Sequence, residues 1–89
     1  MSAAPYFLYI VRCRDGTLYT GIARDVAARL RAHNEGRGAK YTRGRGPVRL
    51  LYRERCGTRA AAQRREWAVK DLTRADKMAL AKAGRRRVS

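Results

Sequence analysis

The sequence has few acidic residues for its length. Only 7 Asp and Glu stand against 22 Lys and Arg, which gives a formal net charge of +15. So large an excess of one sign costs stability through self-repulsion and favours a polyanionic partner. Nucleic acid fits this charge better than a membrane surface does, because no segment reads as a long basic amphipathic helix with aromatic anchors.

Long apolar runs and clustered cysteines are also absent. No stretch approaches the ~20 apolar residues that a membrane span needs, and the N-terminus lacks the pattern of a signal peptide. Cys13 and Cys56 are too few and too far apart for a disulfide framework or a zinc site. We therefore expect a cytoplasmic protein without internal repeats, in which residues 1–84 form one small domain and residues 85–89 a basic tail.

Residues 7–21, FLYIVRCRDGTLYTG, predict a β-hairpin. The run over residues 7–11 is apolar throughout, which is typical of a strand buried on both faces. Residues 18–22 form the returning strand, and Asp15-Gly16 is a strong turn signal between them. Because the first strand is apolar on both sides, we expect it at the centre of the sheet.

The length of this turn decides which side chains share a face. A two-residue turn would put Tyr9 and Tyr19 on opposite faces of the sheet. A three-residue turn with a left-handed Gly16 would put both tyrosines on one face and Tyr9 opposite Gly21. We favour the longer turn because Gly21, without a side chain, leaves room for the Tyr9 ring. The alternative interpretation, which the hairpin alone favours, is that Tyr9 and Tyr19 are ordinary strand aromatics.

A helix is predicted over residues 26–35, with Asp25 as its N-cap and Gly36 after its end. Arg29 and His33 fall one turn apart, on or beside the apolar stripe of this helix. A surface arginine and a hydrogen-bonded histidine would explain each residue alone. The two together, directed at the tyrosines, indicate a site.

The segment GRGAKYTRGRGP, residues 36–47, predicts a loop because four glycines and a proline exclude a regular element. Its cations, flexible backbone and one aromatic ring suit phosphate contacts and base stacking. A solvated loop that happens to be basic is an equally compatible interpretation. The candidate nucleic-acid-binding residues here are Arg37, Lys40, Tyr41, Arg43 and Arg45.

A third strand is predicted over residues 48–53, with Val48, Leu50 and Tyr52 on one face. An alanine-rich helix capped by Thr58 follows over residues 59–72. A last helix over residues 73–84 begins with a capping-box pattern at Thr73 and Asp76. The expected packing residues of the alanine-rich helix are Ala62, Trp67, Val69 and Leu72.

Glu66 is the carboxylate that local structure explains least. It lies in the middle of a helix, one turn from Ala62 and Val69, so its side chain can face inward. A surface ion pair with Arg65 or Lys70, worth only ~0.3–0.5 kcal/mol, is one interpretation. The other is a ligand for a hard divalent cation, which typically takes one or two carboxylates and several waters.

Together these motifs resemble the GIY-YIG endonuclease superfamily, in its small standalone bacterial form with a URI-type, UPF0213-like domain. The first block of the family name matches residues 7–9 (FLY) and the second matches residues 19–21 (YTG). The match extends over about residues 6–80. The further motifs at similar spacing are the helix with Arg29 and His33, the KYTR segment at 40–43, and Arg65-Glu66.

This resemblance implies an α+β fold, with a small three-stranded antiparallel sheet and about three helices in the order β-β-α-β-α-α. It also implies an enzyme, a metal-dependent endonuclease that hydrolyses phosphodiester bonds. DNA is expected rather than RNA, single-stranded or structured DNA is the expected preference, and a monomer is assumed. No membrane partner is expected.

The resemblance also assigns roles to individual residues. Tyr9 and Tyr19 would line the point of attack, and one of them would help to deprotonate or position the nucleophilic water. Arg29 would contact the scissile phosphate, and His33 would hydrogen-bond in the same cluster. Glu66 would hold one Mg²⁺ or Mn²⁺. Because tyrosine ionises near pH ~10, it is a poor base unless nearby positive charge stabilises its phenolate.

Three departures from the family pattern stand out. Phe7 replaces the glycine of the first block, and Thr20 replaces the isoleucine of the second. Many relatives carry an asparagine after the metal-binding glutamate, whereas the only asparagine here is Asn34. Lys70, one turn beyond Glu66, is our candidate for a substitute polar contact and for nucleic-acid binding.

Two other functions fit parts of the pattern. A non-catalytic nucleic-acid-binding protein, such as an RNA-binding or ribosome-associated module, would need the same basic surface. It would have no use for an inward carboxylate beside phosphates. A nuclease fold that has become a protein-interaction adaptor predicts scattered rather than convergent site residues.

Overall fold

The computed structural model of the chain describes residues 4–38 and 42–88. Its secondary structure confirms the predicted α+β fold and the order β-β-α-β-α-α. None of the helices within these ranges is long and apolar enough to cross a membrane. The elements are β1 (Tyr6–Arg12), β2 (Leu18–Ala23), α1 (Val26–Asn34), β3 (Arg49–Gly57), α2 (Arg59–Lys70) and α3 (Arg74–Val88).

The sheet has β1 at its centre, in the antiparallel order β2-β1-β3, as the apolar composition of β1 predicts. One face of the sheet carries Tyr9 and Val11 and packs against α1; we call it the tyrosine face. The opposite face carries Leu8 and Ile10 and packs against Val69 of α2. Burial on both faces is what requires an uninterrupted apolar run in β1.

The hairpin between β1 and β2 has the predicted three-residue turn. The backbone N–H of Cys13 donates to the carbonyl oxygen of Thr17 at 2.8 Å. Gly16 adopts a φ of 88°, a left-handed conformation that glycine accepts without steric cost. The resulting register sets Tyr9 opposite Gly21, and Tyr19 therefore lies on the tyrosine face.

The prediction for β3 is wrong in two respects: the strand continues to Gly57 and does not end at residue 53, and its apolar side chains do not share one face. Tyr52 lies opposite Ile10, but Leu50 lies opposite Val11, because the register between β1 and β3 shifts at this point. One additional residue in β3 turns Leu50 and Tyr52 to opposite faces. Leu50 is 40% exposed. Val48 precedes β3 and is buried in the core of the tyrosine face.

The helix caps follow the sequence signals. The side chain of Asp25 accepts from Ala28 N–H at 2.9 Å at the start of α1. Thr58 accepts from Ala61 N–H at 3.1 Å at the start of α2. Each cap satisfies one of the backbone donors that a helix N-terminus leaves without a partner.

Two expectations for α2 and α3 are wrong. Trp67 does not pack inward but is 79% exposed, because the inner side of α2 is defined by Ala62 and Val69 and Trp67 points away from both. The last helix does not end at Gly84 but continues to Val88. Gly84 lies so close to the Tyr52 ring that a Cβ atom would meet it at 2.7 Å, so this glycine permits packing and is not a helix end.

Candidate functional site

A chain of buried hydrogen bonds crosses the tyrosine face. The hydroxyl of Tyr9 lies 3.0 Å from Nε2 of His33. Nδ1 of His33 lies 2.7 Å from Oγ1 of Thr42. All three residues are at most 2% exposed. The structure thus links the central strand, α1 and the glycine-rich loop through one imidazole, with both ring nitrogens engaged.

Tyr19 completes an aromatic cluster with these residues. Its ring centroid lies 6.4 Å from that of Tyr9 and 5.5 Å from that of His33, the latter in an edge-to-face arrangement. Tyr19 is half-buried, whereas Tyr9 is 1% exposed. Of the two tyrosines, Tyr19 is therefore the one that solvent can reach.

Gly21 is required for the position of Tyr9. A Cβ atom at residue 21 would lie 2.6 Å from the Tyr9 hydroxyl oxygen and 2.7 Å from Cζ. The Tyr9 ring thus lies across the backbone of β2 at a distance that only glycine allows. Cross-strand pairing of Tyr9 with Gly21 directs the hydroxyl to His33.

Electrostatics connect two further predicted residues to this cluster. Burial, followed by the neighbouring Tyr19, raises the pKa of Tyr9, and Arg29 lowers it while Glu66 raises it. Arg29 and Glu66 therefore lie within electrostatic reach of the Tyr9 hydroxyl. Burial and then Arg29 lower the pKa of His33, so the imidazole is neutral at physiological pH.

The side chain of Glu66 faces partly inward, as predicted, and is 17% exposed. Its carboxylate lies 3.4 Å from the ammonium of Lys70, an i,i+4 pair on α2. Within residues 4–38 and 42–88, no group of three His, Cys, Asp or Glu side chains converges as a metal site would. Glu66 offers one hard oxygen ligand, a chemistry that fits a cation such as Mg²⁺, which keeps several waters and binds substrate phosphate.

In the glycine-rich loop, Arg45 contacts the hairpin between β1 and β2. Arg45 Nη1 lies 2.6 Å from Oδ2 of Asp15, and the Arg45 carbonyl accepts from the Arg14 N–H at 2.6 Å. Arg37 pairs with Glu35. Of the predicted nucleic-acid-binding residues, Arg37, Arg45 and Lys70 each contact a carboxylate, Arg43 is exposed, and Lys40 and Tyr41 lie outside the described residues.

Sequence reasoning gave no role to Thr42 or to the residues around Glu54. In the sequence, Thr42 appeared only as part of the basic segment at residues 40–43. No local pattern indicates that its hydroxyl forms a hydrogen bond with His33. On the opposite face, Arg65 binds Glu54 through Nε at 2.9 Å and Nη2 at 3.1 Å, and the Tyr52 hydroxyl donates to Glu54 at 2.6 Å. Glu54 of β3 thus anchors α2 to the sheet.

Comparison with known proteins agrees with this fold, a small α+β domain. The sequence profile described as the GIY-YIG catalytic domain matches residues 5–79. The chain belongs to the GIY-YIG family.

The chain is also similar to individual UPF0213 proteins. Two of them, from Staphylococcus aureus strains Mu3 and N315, are 52% identical over 77 residues, 86% of this chain and 94% of the relative. The solution NMR structure of the UPF0213 protein BH0048 from Bacillus halodurans is 44% identical, with a TM-score of 0.56 over 88% of this chain and 83% of that one. That of EF2693 from E. faecalis is 37% identical, with a TM-score of 0.62 over 92% and 88%.

Replacing Gly21 by alanine should disturb the cluster directly. The added methyl group cannot coexist with the Tyr9 ring at 2.6 Å, so the ring must move and lose its bond to His33. We expect a loss of ~1–3 kcal/mol in the free energy of unfolding, measured by urea titration. Gly46→Ala is the control, since its nearest contact would be an ordinary 3.8 Å. Equal effects of the two variants would contradict the packing argument.

Stability should depend on pH through His33, the only histidine in the chain. Its pKa is lowered in the folded state, so the unfolded chain takes up a proton first. We expect stability that is fully present above pH ~6.5 to fall below it, by at most ~1.4 kcal/mol per pH unit. Urea unfolding between pH 7 and 5 would measure this slope. His33→Gln should remove it, and an equal slope in that variant would refute the assignment.

Proposed function

We propose that this protein is a metal-dependent endonuclease that hydrolyses phosphodiester bonds in DNA. The observation that carries the proposal is the cluster of Tyr9, Tyr19 and His33 on one face of the sheet, with Arg29 and Glu66 in electrostatic reach. A surface that only binds nucleic acid gains nothing from a carboxylate beside phosphates. A protein-interaction adaptor does not need the cluster of Tyr9, Tyr19 and His33, or charged groups that act on it.

The two tyrosines have different roles in this proposal. Tyr9 is buried and its pKa is raised, so its phenol keeps its proton and serves to orient His33. Tyr19 is half-buried and packs edge-to-face against His33, so its hydroxyl is the one that can contact the attacking water. General acid–base help of this kind is worth ~10²–10⁴-fold in rate.

Arg29 and Glu66 together stabilise the negative charge of the substrate, Arg29 directly and Glu66 through a bound cation. Arg29 lies on α1, is exposed, and can donate hydrogen bonds to the scissile phosphate, which gains negative charge during attack. Glu66 would hold one Mg²⁺ or Mn²⁺ together with waters and substrate oxygens. When bound, such a cation acts as a Lewis acid that neutralises charge on the phosphate.

The substrate is DNA drawn in by the large positive charge of the chain. A net charge of +15 raises the local concentration of a polyanion and speeds its association, an effect that salt weakens. Arg43 is exposed beside Thr42, so the segment that contacts DNA is also the one bonded to His33. We propose single-stranded or structured DNA as the preferred form.

Glu66→Gln tests the enzyme directly. The change keeps the shape of the side chain but removes the charged ligand, so we expect cleavage of labelled DNA to fall by ~10²–10³-fold. The assay compares single- and double-stranded DNA and RNA with Mg²⁺, Mn²⁺ or EDTA. Binding, measured by anisotropy in EDTA, should persist.

Asp71→Asn is the matched control for Glu66→Gln. It removes the same charge from an exposed carboxylate at the end of α2 and should leave cleavage unchanged. Salt-sensitive binding by the wild type without cleavage in any metal would overturn the enzyme assignment. That result would favour a nucleic-acid-binding protein.

Phenylalanine substitutions should separate the tyrosines. Tyr19→Phe removes the hydroxyl that contacts water and should lower the cleavage rate more than Tyr9→Phe does. Tyr9→Phe leaves Nε2 of buried His33 without its partner, which should cost ~1–3 kcal/mol of stability and less in rate. Single-turnover cleavage and urea unfolding measure the two effects, and the reverse pattern would reassign the roles.

A further inference from the structure

Trp67 is the most exposed large hydrophobic side chain in the described part of the chain. It is 79% exposed, on α2 and directly after Glu66. Nothing in the fold requires an indole there, because the packing of α2 is supplied by Ala62 and Val69, both fully buried. A solvent-facing aromatic ring next to Glu66 is suited to stacking against a ligand with a flat face.

A shallow groove on α2 lies beside Trp67 and includes Glu66 in its lining. Its volume is about 400 Å³, and Glu66 and Trp67 both line it. Arg64 also lines the groove, is exposed, and makes no ion pair with any residue of the described ranges. The groove thus offers an aromatic face, a cation and the Glu66 carboxylate within two turns of one helix. Its lining residues are Ala60, Gln63, Arg64, Glu66 and Trp67.

We propose that this groove binds single-stranded nucleic acid, with an unpaired base stacked on Trp67 and a backbone phosphate contacted by Arg64. Stacking on an aromatic ring needs the face of a base, which is covered in a duplex and free in a single strand. The inference rests on the proposed nuclease function, since a strand held here passes Glu66. It assigns the preference for single strands to one side chain.

Charge decides between this occupant and a second copy of the chain. Two copies meeting at α2 would each bring a net charge of +15, and Arg64 would face a surface of the same sign. A nucleic-acid strand instead supplies a phosphate that can pair with Arg64 and a base that can stack on Trp67. Both side chains of the groove are then used by one ligand.

The fluorescence of the protein tests the stacking. Trp67 is the only tryptophan, so its emission reports on this groove alone. In EDTA, without cleavage, we expect oligothymidylate to quench the emission. An abasic oligonucleotide of equal length, with the same phosphates and no bases, should not quench it, and neither should a blunt duplex. Quenching by the abasic strand that equals quenching by oligothymidylate would overturn the proposal.

Substitutions test the contribution to affinity. Trp67→Ala should weaken binding of labelled oligothymidylate ~5- to 100-fold by anisotropy and leave duplex binding unchanged. Trp67→Phe should recover most of the loss. Leu50→Ala, at the other exposed apolar side chain, is the control and should have no effect. Unchanged affinity in Trp67→Ala, or emission that varies with protein concentration as in self-association, would refute the assignment.

These measurements separate the groove from the nuclease. Binding and quenching in EDTA do not depend on Glu66 as a metal ligand, so they can succeed where cleavage fails. Cleavage lost in Glu66→Gln, with no change in binding for Trp67→Ala, would keep the enzyme and reject the groove. The opposite result would keep a single-strand binding surface and reject the enzyme.

Discussion

The hydrogen bond between Tyr9 and His33 is the contact on which the tyrosine face depends. It forms because a three-residue turn sets Tyr9 opposite Gly21, where no side chain competes with the ring. Both partners are buried, so losing the bond would leave a polar group without water to replace its partner. The other ring nitrogen of His33 forms a hydrogen bond with Thr42, which fixes the glycine-rich loop to the same imidazole. Fold and candidate site are therefore stabilised by the same atoms.

A second contact controls the position of α2. Arg65 binds both oxygens of Glu54, a two-pronged geometry that fixes direction as well as distance. The pKa of Glu54 is lowered by hydrogen bonds from Tyr52 and Arg65, against the opposing effect of burial, so the carboxylate stays charged. Glu66 follows Arg65 directly in the helix. The rotation of α2, which turns Val69 to the sheet and Trp67 to solvent, is thus fixed by this contact with β3.

Much of the fold could be predicted because local signals decide it. Asp15-Gly16 and the glycine opposite Tyr9 predicted the hairpin register. A register shifted by one residue would have put the two tyrosines on opposite faces of the sheet. Trp67 was misplaced because hydrophobicity alone predicts burial, whereas α2 buries small residues. The shifted register of β3 and the long α3 also escaped prediction, since a bulge and a packing glycine are set by neighbours distant in sequence. Thr42 was missed for the same reason.

Because the chain has few carboxylates, the cation with which each one pairs can be compared, and the partner of Glu66 differs from the others. Asp15, Glu35 and Glu54 each pair with an arginine, and Glu66 alone among the described carboxylates pairs with a lysine. Lysine is a compact point charge on a flexible stem, without the rigid fork of arginine. Lys70 is 49% exposed, so water competes for its ammonium, whereas Glu66 is only 17% exposed. In the proposed function, a divalent cation would displace Lys70 from Glu66, and the freed ammonium would contact the phosphate of an arriving strand.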